Sequence, residues 1–221
     1  MKLKFLALAA LAATSFGAQA GLTTYAPWAA YWPNQGNQGN GIDGVQFNVQ
    51  SASGVTVAMG AHGYKNSETL ANNGVDTYQA MIGTYVNEPN RANWSFDFAW
   101  DLGGCTTCNV ALMVDIDPSA GVNLVTLFNT AVTGTNQALF NTATVADDAF
   151  FSWNMEMAFV APALGYDFNP NAASSTAFSL VVTNAAGQVV SSGVTVNVPE
   201  PTSLALIGLA LVGLAATRRR A

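Results

Sequence analysis

The chain alternates between apolar and polar residues in short runs with a period of two, and few of its runs depart from that rhythm. Val45, Phe47 and Val49 alternate with Gln46, Asn48 and Gln50, and Val55 and Val57 follow. Period two puts every second side chain on one face of a pleated strand, so each run predicts a half-buried strand. Thr77 to Val86 reads as another. The strongest signal is Trp94, Phe96, Phe98, Trp100 and Leu102 on one face, against Ser95, Asp97, Ala99 and Asp101 on the other. Val110, Leu112, Val114 and Ile116 then alternate with Ala111, Met113, Asp115 and Asp117. Between these two runs lies a Gly-containing connection, which predicts a β-hairpin near the centre of the core.

Leu124 to Phe128 predicts a further strand, and a short one is expected around Leu139. Phe151, Trp153, Met155, Met157 and Phe159 predict a long strand. Phe178, Leu180 and Val182 predict one that turns at Asn184-Ala185-Ala186-Gly187 and returns along Val189 to Val198. Ala61 to Asn73 is polar and reads as a connection. No stretch between the ends has a 3.6-residue period. Many short strands separated by turns indicate an all-β fold, a single β-sandwich of jelly-roll or immunoglobulin-like topology.

Both ends break the pattern. Met1 to Lys4 is basic, Phe5 to Ala13 is a short apolar run, and Ala18-Gln19-Ala20 has the small residues of a signal-peptide cleavage site. Signal peptidase is therefore expected to cut between Ala20 and Gly21. At the other end Pro199-Glu200-Pro201 interrupts strand or helix, Ser203 to Thr217 is almost wholly apolar, and Arg218-Arg219-Arg220 follows. Fifteen helical residues reach roughly 22 Å, short of the ~30 Å hydrocarbon core, which suits a brief or thin span with the arginines on the cytoplasmic side. The ordered triple of V-P-E-P, apolar segment and arginine cluster resembles the PEP-CTERM sorting signal of Gram-negative bacteria. The resemblance implies transient insertion in the inner membrane and recognition by an exosortase. It also implies processing near Pro199, Glu200 and Pro201, and delivery to the cell surface or an exopolysaccharide matrix. The expected organisation is a signal peptide over 1–20, a secreted β-sandwich over 21–197 and a sorting signal over 198–221. Asn93 to Cys108, Val114 to Gly121 and Phe151 to Phe159 also resemble stretches of uncharacterised PEP-CTERM proteins, a likeness that carries no activity.

Charge narrows the partners. Of the 7 Lys+Arg and 13 Asp+Glu, the body from 21 to 197 keeps only Lys65 and Arg91 but all the acids except Glu200. Twelve acids against two bases give it a net charge of −10, which repels nucleic acid and anionic membrane and tolerates divalent cations.

The candidate chemistry is sparse. Cys105-Thr106-Thr107-Cys108 is expected to be a structural disulfide in an oxidising compartment, because no helix pattern follows it as a redox motif would require and too few ligands exist for zinc. Asp115 and Asp117 put two carboxylates on one face at a strand's exposed end and are weak candidates for calcium; Asp147, Asp148 and Asp167 are further acidic loop positions. The spacing is not that of an EF-hand. Trp28, Tyr31 and Trp32 beside a Gly/Asn-rich stretch are candidates for stacking on sugar rings, or else they cover one end of the core. His62 is the lone histidine, and no G-x-S-x-G accompanies it. Glu68, Glu88 and Glu156 could supply a glycosidase pair only if two faced each other across a cleft. The reading is a non-enzymatic surface or matrix protein, structural or adhesive. The alternatives are a carbohydrate-binding module, calcium-assisted or not, and then an extracellular hydrolase.

Overall fold

The computed structural model describes residues 23–24, 45–65, 69–119, 121–129, 148–161 and 164–200. The leader with Ala20 and Gly21, the aromatic trio Trp28, Tyr31 and Trp32, the strand expected around Leu139, Glu68, Asp147, and the tail from Pro201 through Arg218, Arg219 and Arg220 lie outside the described residues.

Thirteen strands are described: β1 (Thr23–Thr24), β2 (Gln46–Ala52), β3 (Val55–Gly63), β4 (Ala71–Asn72), β5 (Thr77–Gln79), β6 (Thr84–Tyr85), β7 (Glu88–Ala92), β8 (Trp94–Asp101), β9 (Asn109–Asp115), β10 (Leu124–Asn129), β11 (Asp148–Trp153), β12 (Ser174–Asn184) and β13 (Gly187–Val198). They form a five-stranded sheet in the order β1-β2-β3-β8-β11, a six-stranded sheet in the order β10-β9-β12-β13-β5-β4, and a small β6-β7 ribbon. The two large sheets pack face to face as a β-sandwich. Phe96, Phe98, Trp100 and Trp153 of one sheet meet Phe128, Phe178, Leu112 and Val114 of the other in one buried core. Phe96 and Phe178 stack with centroids 4.4 Å apart across the gap. Burying each such side chain contributes roughly 1.5–3 kcal/mol.

The sharpest departure from the expected order is at β8 and β9. They do not form a hairpin. β8 pairs with β3 and β11, whereas β9 pairs with β10 and β12 in the opposite sheet. Leu102 to Cys108 is thus an arch that carries the chain from one sheet to the other. Gly103 and Gly104 turn it with φ of 58° and 78°, values that side chains resist. A Cβ at Gly103 would strike the Gly54 carbonyl oxygen of the neighbouring β2–β3 turn. The predicted β12–β13 hairpin is present, with Asn184 opposite Gly187 at its tip.

Three shorter corrections follow. β3 runs on through His62 to Gly63 rather than ending before Ala61. Thr77 to Val86 is broken into two short strands, β5 and β6. The strand expected through Phe159 stops at Trp153, because the next residue, Asn154, spends its side chain on the backbone of Ala92, Trp94 and Glu156 and turns the chain.

The five-stranded sheet is also apolar on its second face. Phe47, Ala58, Ala99 and Phe150 lie side by side in a second buried cluster with Val45. Their register, Val49–Ala58–Ala99–Phe150, follows one row across the sheet. Ser95, Asp97 and Ala99, which alternation assigns to the polar face, are therefore buried. Phe47 lies flat over Gly60, where any Cβ would come within 2.8 Å of its ring.

Candidate functional site

Three places gather polar chemistry. The first is the C-terminal edge. β13 lies between β12 and β5 in the six-stranded sheet and stays in register to its last residue, Val198, which pairs with Ser174 and is 3% exposed. Pro199 and Glu200 follow at once and are exposed. The proline ends the ladder because it has no N–H to give.

The second place is the turn from β9 into β10. Asp115 closes β9 opposite Leu124. It does not stand at an exposed strand end, as alternation suggested: it is 2% exposed. The reason is local. Asp115 Oδ1 accepts the backbone N–H of Asp117 at 3.0 Å and of Asn123 at 2.7 Å, which draws the carboxylate inward under its own loop. The pattern then repeats every second residue. Asp117 Oδ1 accepts from Ser119 N at 2.9 Å, and Ser119 Oγ accepts from Gly121 N at 3.1 Å. Hydrogen bonds from Ser119 hold the Asp117 carboxyl below its ordinary range. A Cβ at Gly121 would sit 2.6 Å from Asp117 Oδ2, so a side chain there would push that carboxylate aside. Tyr166 lies in the field of this corner: burial, then the charges of Asp115, Asp117 and Asp167, raise its hydroxyl above the ordinary 10.0.

The third place is the second face of the five-stranded sheet. His62 Nδ1 and Asp97 Oδ2 are 2.7 Å apart, with both side chains almost fully buried. Burial by itself pulls the imidazole down, but the Asp97 charge and hydrogen bond more than offset it, and the net direction is up from 6.5. Alternation gave no hint of this pair, because the two residues lie 35 positions apart and meet only through the β3–β8 register. Asn154 was missed likewise; it is fully buried, with two backbone donors and two backbone acceptors satisfied.

Cys105 and Cys108 are joined by a disulfide, with Cα atoms 5.5 Å apart, inside the arch between β8 and β9. Both pack against the edge of the main core. Both cations of the body are engaged elsewhere: Lys65 pairs with Glu88, and Arg91 Nη1 donates to the Asn90 and Glu156 carbonyls. A cavity of about 200 Å³ lies by Tyr78, lined by Val45, Gln46, Ala61, Thr69, Leu70 and Asn72. Among the described residues no carboxylate lines it. Among the described residues, no three His, Cys, Asp or Glu side chains come together as a metal shell, and no helix is long and apolar enough to cross a membrane.

The comparisons with known proteins bear on the first place. Neither curated proteins nor solved structures give a match to this chain. The PEP-CTERM protein-sorting motif matches residues 197–220, beginning one residue before the end of β13. The chain therefore carries a PEP-CTERM protein-sorting motif at residues 197–220, a motif that implies export and processing by an exosortase.

Proposed function

We propose that the exported body is a non-enzymatic structural or adhesive domain, cut from its tail next to Val198 and displayed at the surface or in an exopolysaccharide matrix. The observation that carries this reading is the junction itself. The sorting motif starts where the core ends, with a buried Val198 followed by exposed Pro199 and Glu200. Cleavage beyond Val198 removes no core side chain and breaks no β12–β13 pair, so the folded body survives release intact. A body of −10 net charge with two engaged cations also suits a hydrated, neutral polymer environment better than binding to anionic membrane.

Deleting Arg218, Arg219 and Arg220 tests the sorting step. The expected result is full-length precursor retained in the membrane fraction. Unchanged delivery of trimmed protein would overturn the reading. The mass of the mature protein from its own envelope supplies the second check, with a C-terminus at or just beyond Val198. A C-terminus inside β13 would mean that processing unravels the sheet. Retention of the mature protein on extracted polysaccharide separates the roles: retention lost in Trp32→Ala would replace the structural reading with a carbohydrate-binding one.

A further inference from the structure

We propose that Asp115 and Asp117 hold a calcium ion, with Asp115 Oδ2 and the Asp117 carboxylate as its charged ligands and Ser119 Oγ beside them. Two acids in a loop would not suffice. The independent observation is that Asp115 is 2% exposed and its Oδ2 is buried without a hydrogen-bond partner. The other oxygen of the same carboxyl is fixed by the Asp117 and Asn123 N–H groups, which hold the carboxylate against its own loop. Asp117 Oδ2 folds back over Gly121 toward the same loop. A carboxylate oxygen sealed from water and left unpaired is costly unless a positive charge meets it.

No side chain of the body can be that charge. Its two cations are Lys65 and Arg91, and both are held elsewhere. The donor set is oxygen throughout, which excludes a zinc preference. With no third charged side chain to close the shell among the described residues, the rest must be carbonyl and water oxygens. A loose, irregular oxygen shell favours calcium over the strictly octahedral magnesium, and few charges place the affinity in the weak range of extracellular modules, about 0.1–1 mM.

The test uses the exported protein isolated from its envelope and stripped with EDTA. Calcium chloride is titrated by calorimetry and by thermal unfolding, with magnesium chloride in parallel. Calcium should bind once and raise the melting temperature by about 3–6 °C at ten times its Kd, and magnesium at the same concentration should do much less. Asp115→Asn keeps the Oδ1 acceptor for both N–H groups and removes the charge. It should lose the calcium response yet melt no lower than the native protein in EDTA. Asp117→Asn, at a less buried position, should weaken binding at least tenfold while the fold persists, and it serves if Asp115→Asn does not fold. No heat and no melting shift up to about 10 mM calcium, tenfold above the weak extracellular range, would overturn the site. So would an undiminished response in either variant, or equal responses to magnesium and calcium.

Discussion

Asp97 and Asp115 are sealed from water to the same degree, and each leaves one carboxylate oxygen without a hydrogen bond. Their surroundings differ in one respect. Asp97 sits mid-strand on β8 beside β3 and β11, where the backbone is fully committed to the ladders, and its counter-charge comes from the chain's only histidine. Asp115 sits at a strand end, where loop N–H groups remain free to point at it, and two of them do. Those dipoles serve one oxygen and leave the other without a partner. A buried acid within a sheet must thus be matched by another side chain, whereas one at a loop can be matched in part by backbone and left open to an ion.

The most direct way to break this comparison is to remove the counter-charge of Asp97. His62→Ala should cost about 3–5 kcal/mol, the usual penalty for orphaning one member of a buried ion pair. Urea unfolding of the exported protein measures it. A loss under about 1 kcal/mol would mean that Asp97 needs no partner in the fold. Asn154→Ala sharpens the contrast from the neutral side. Its amide satisfies the Ala92 N–H and the Ala92 and Trp94 carbonyls deep in the fold, so its loss should cost about 2–4 kcal/mol through unpaired backbone groups. The same urea midpoints report it. A near-neutral effect would show that water reaches the Trp153–Met155 turn.

How far the chain discloses itself follows from the same contrast. Alternation marks which residues share a strand face, and so β8, β9, β12 and β13 were legible from Trp94, Val110, Phe178 and Val194 and their neighbours. It does not mark which strand a run pairs with. β8 and β9 each need one apolar face whether they form a hairpin or face each other across the core, so the arch at Gly103-Gly104 was invisible. Nor does it reveal a second buried face built from small residues. Gly60, Ala58 and Ala99 look like a solvent side until Phe47 is laid across them. The acidic loop was half legible: Asp115 and Asp117 stood out by spacing, but the parts played by Ser119, Gly121 and Asn123 depend on backbone N–H directions that spacing does not encode. The sorting motif was legible in full because it is read in linear order.

The smallest expected effect concerns protons, and it tests whether His62 is charged. Burial is the largest single influence on the imidazole and acts against the charged form, while Asp97 acts for it and prevails. With the folded pKa above the ordinary 6.5, the folded state holds its proton more tightly than the unfolded chain. That stabilisation is complete below about pH 6.5 and is lost as the pH rises through the folded pKa, at about 1.4 kcal/mol for each unit by which the two values differ. Urea midpoints of the native protein should therefore fall on going from mildly acidic to alkaline buffer, and His62→Gln, which cannot titrate, should flatten that slope while lowering the midpoint at every pH. Asp117 and Glu88, whose values are lowered, finish titrating well below pH 6 and contribute little here. A midpoint that rises between pH 6.5 and 8.5 would reverse the sign. Burial would then have won, His62 would be neutral in the fold, and Asp97 would share Asp115's want of a cation.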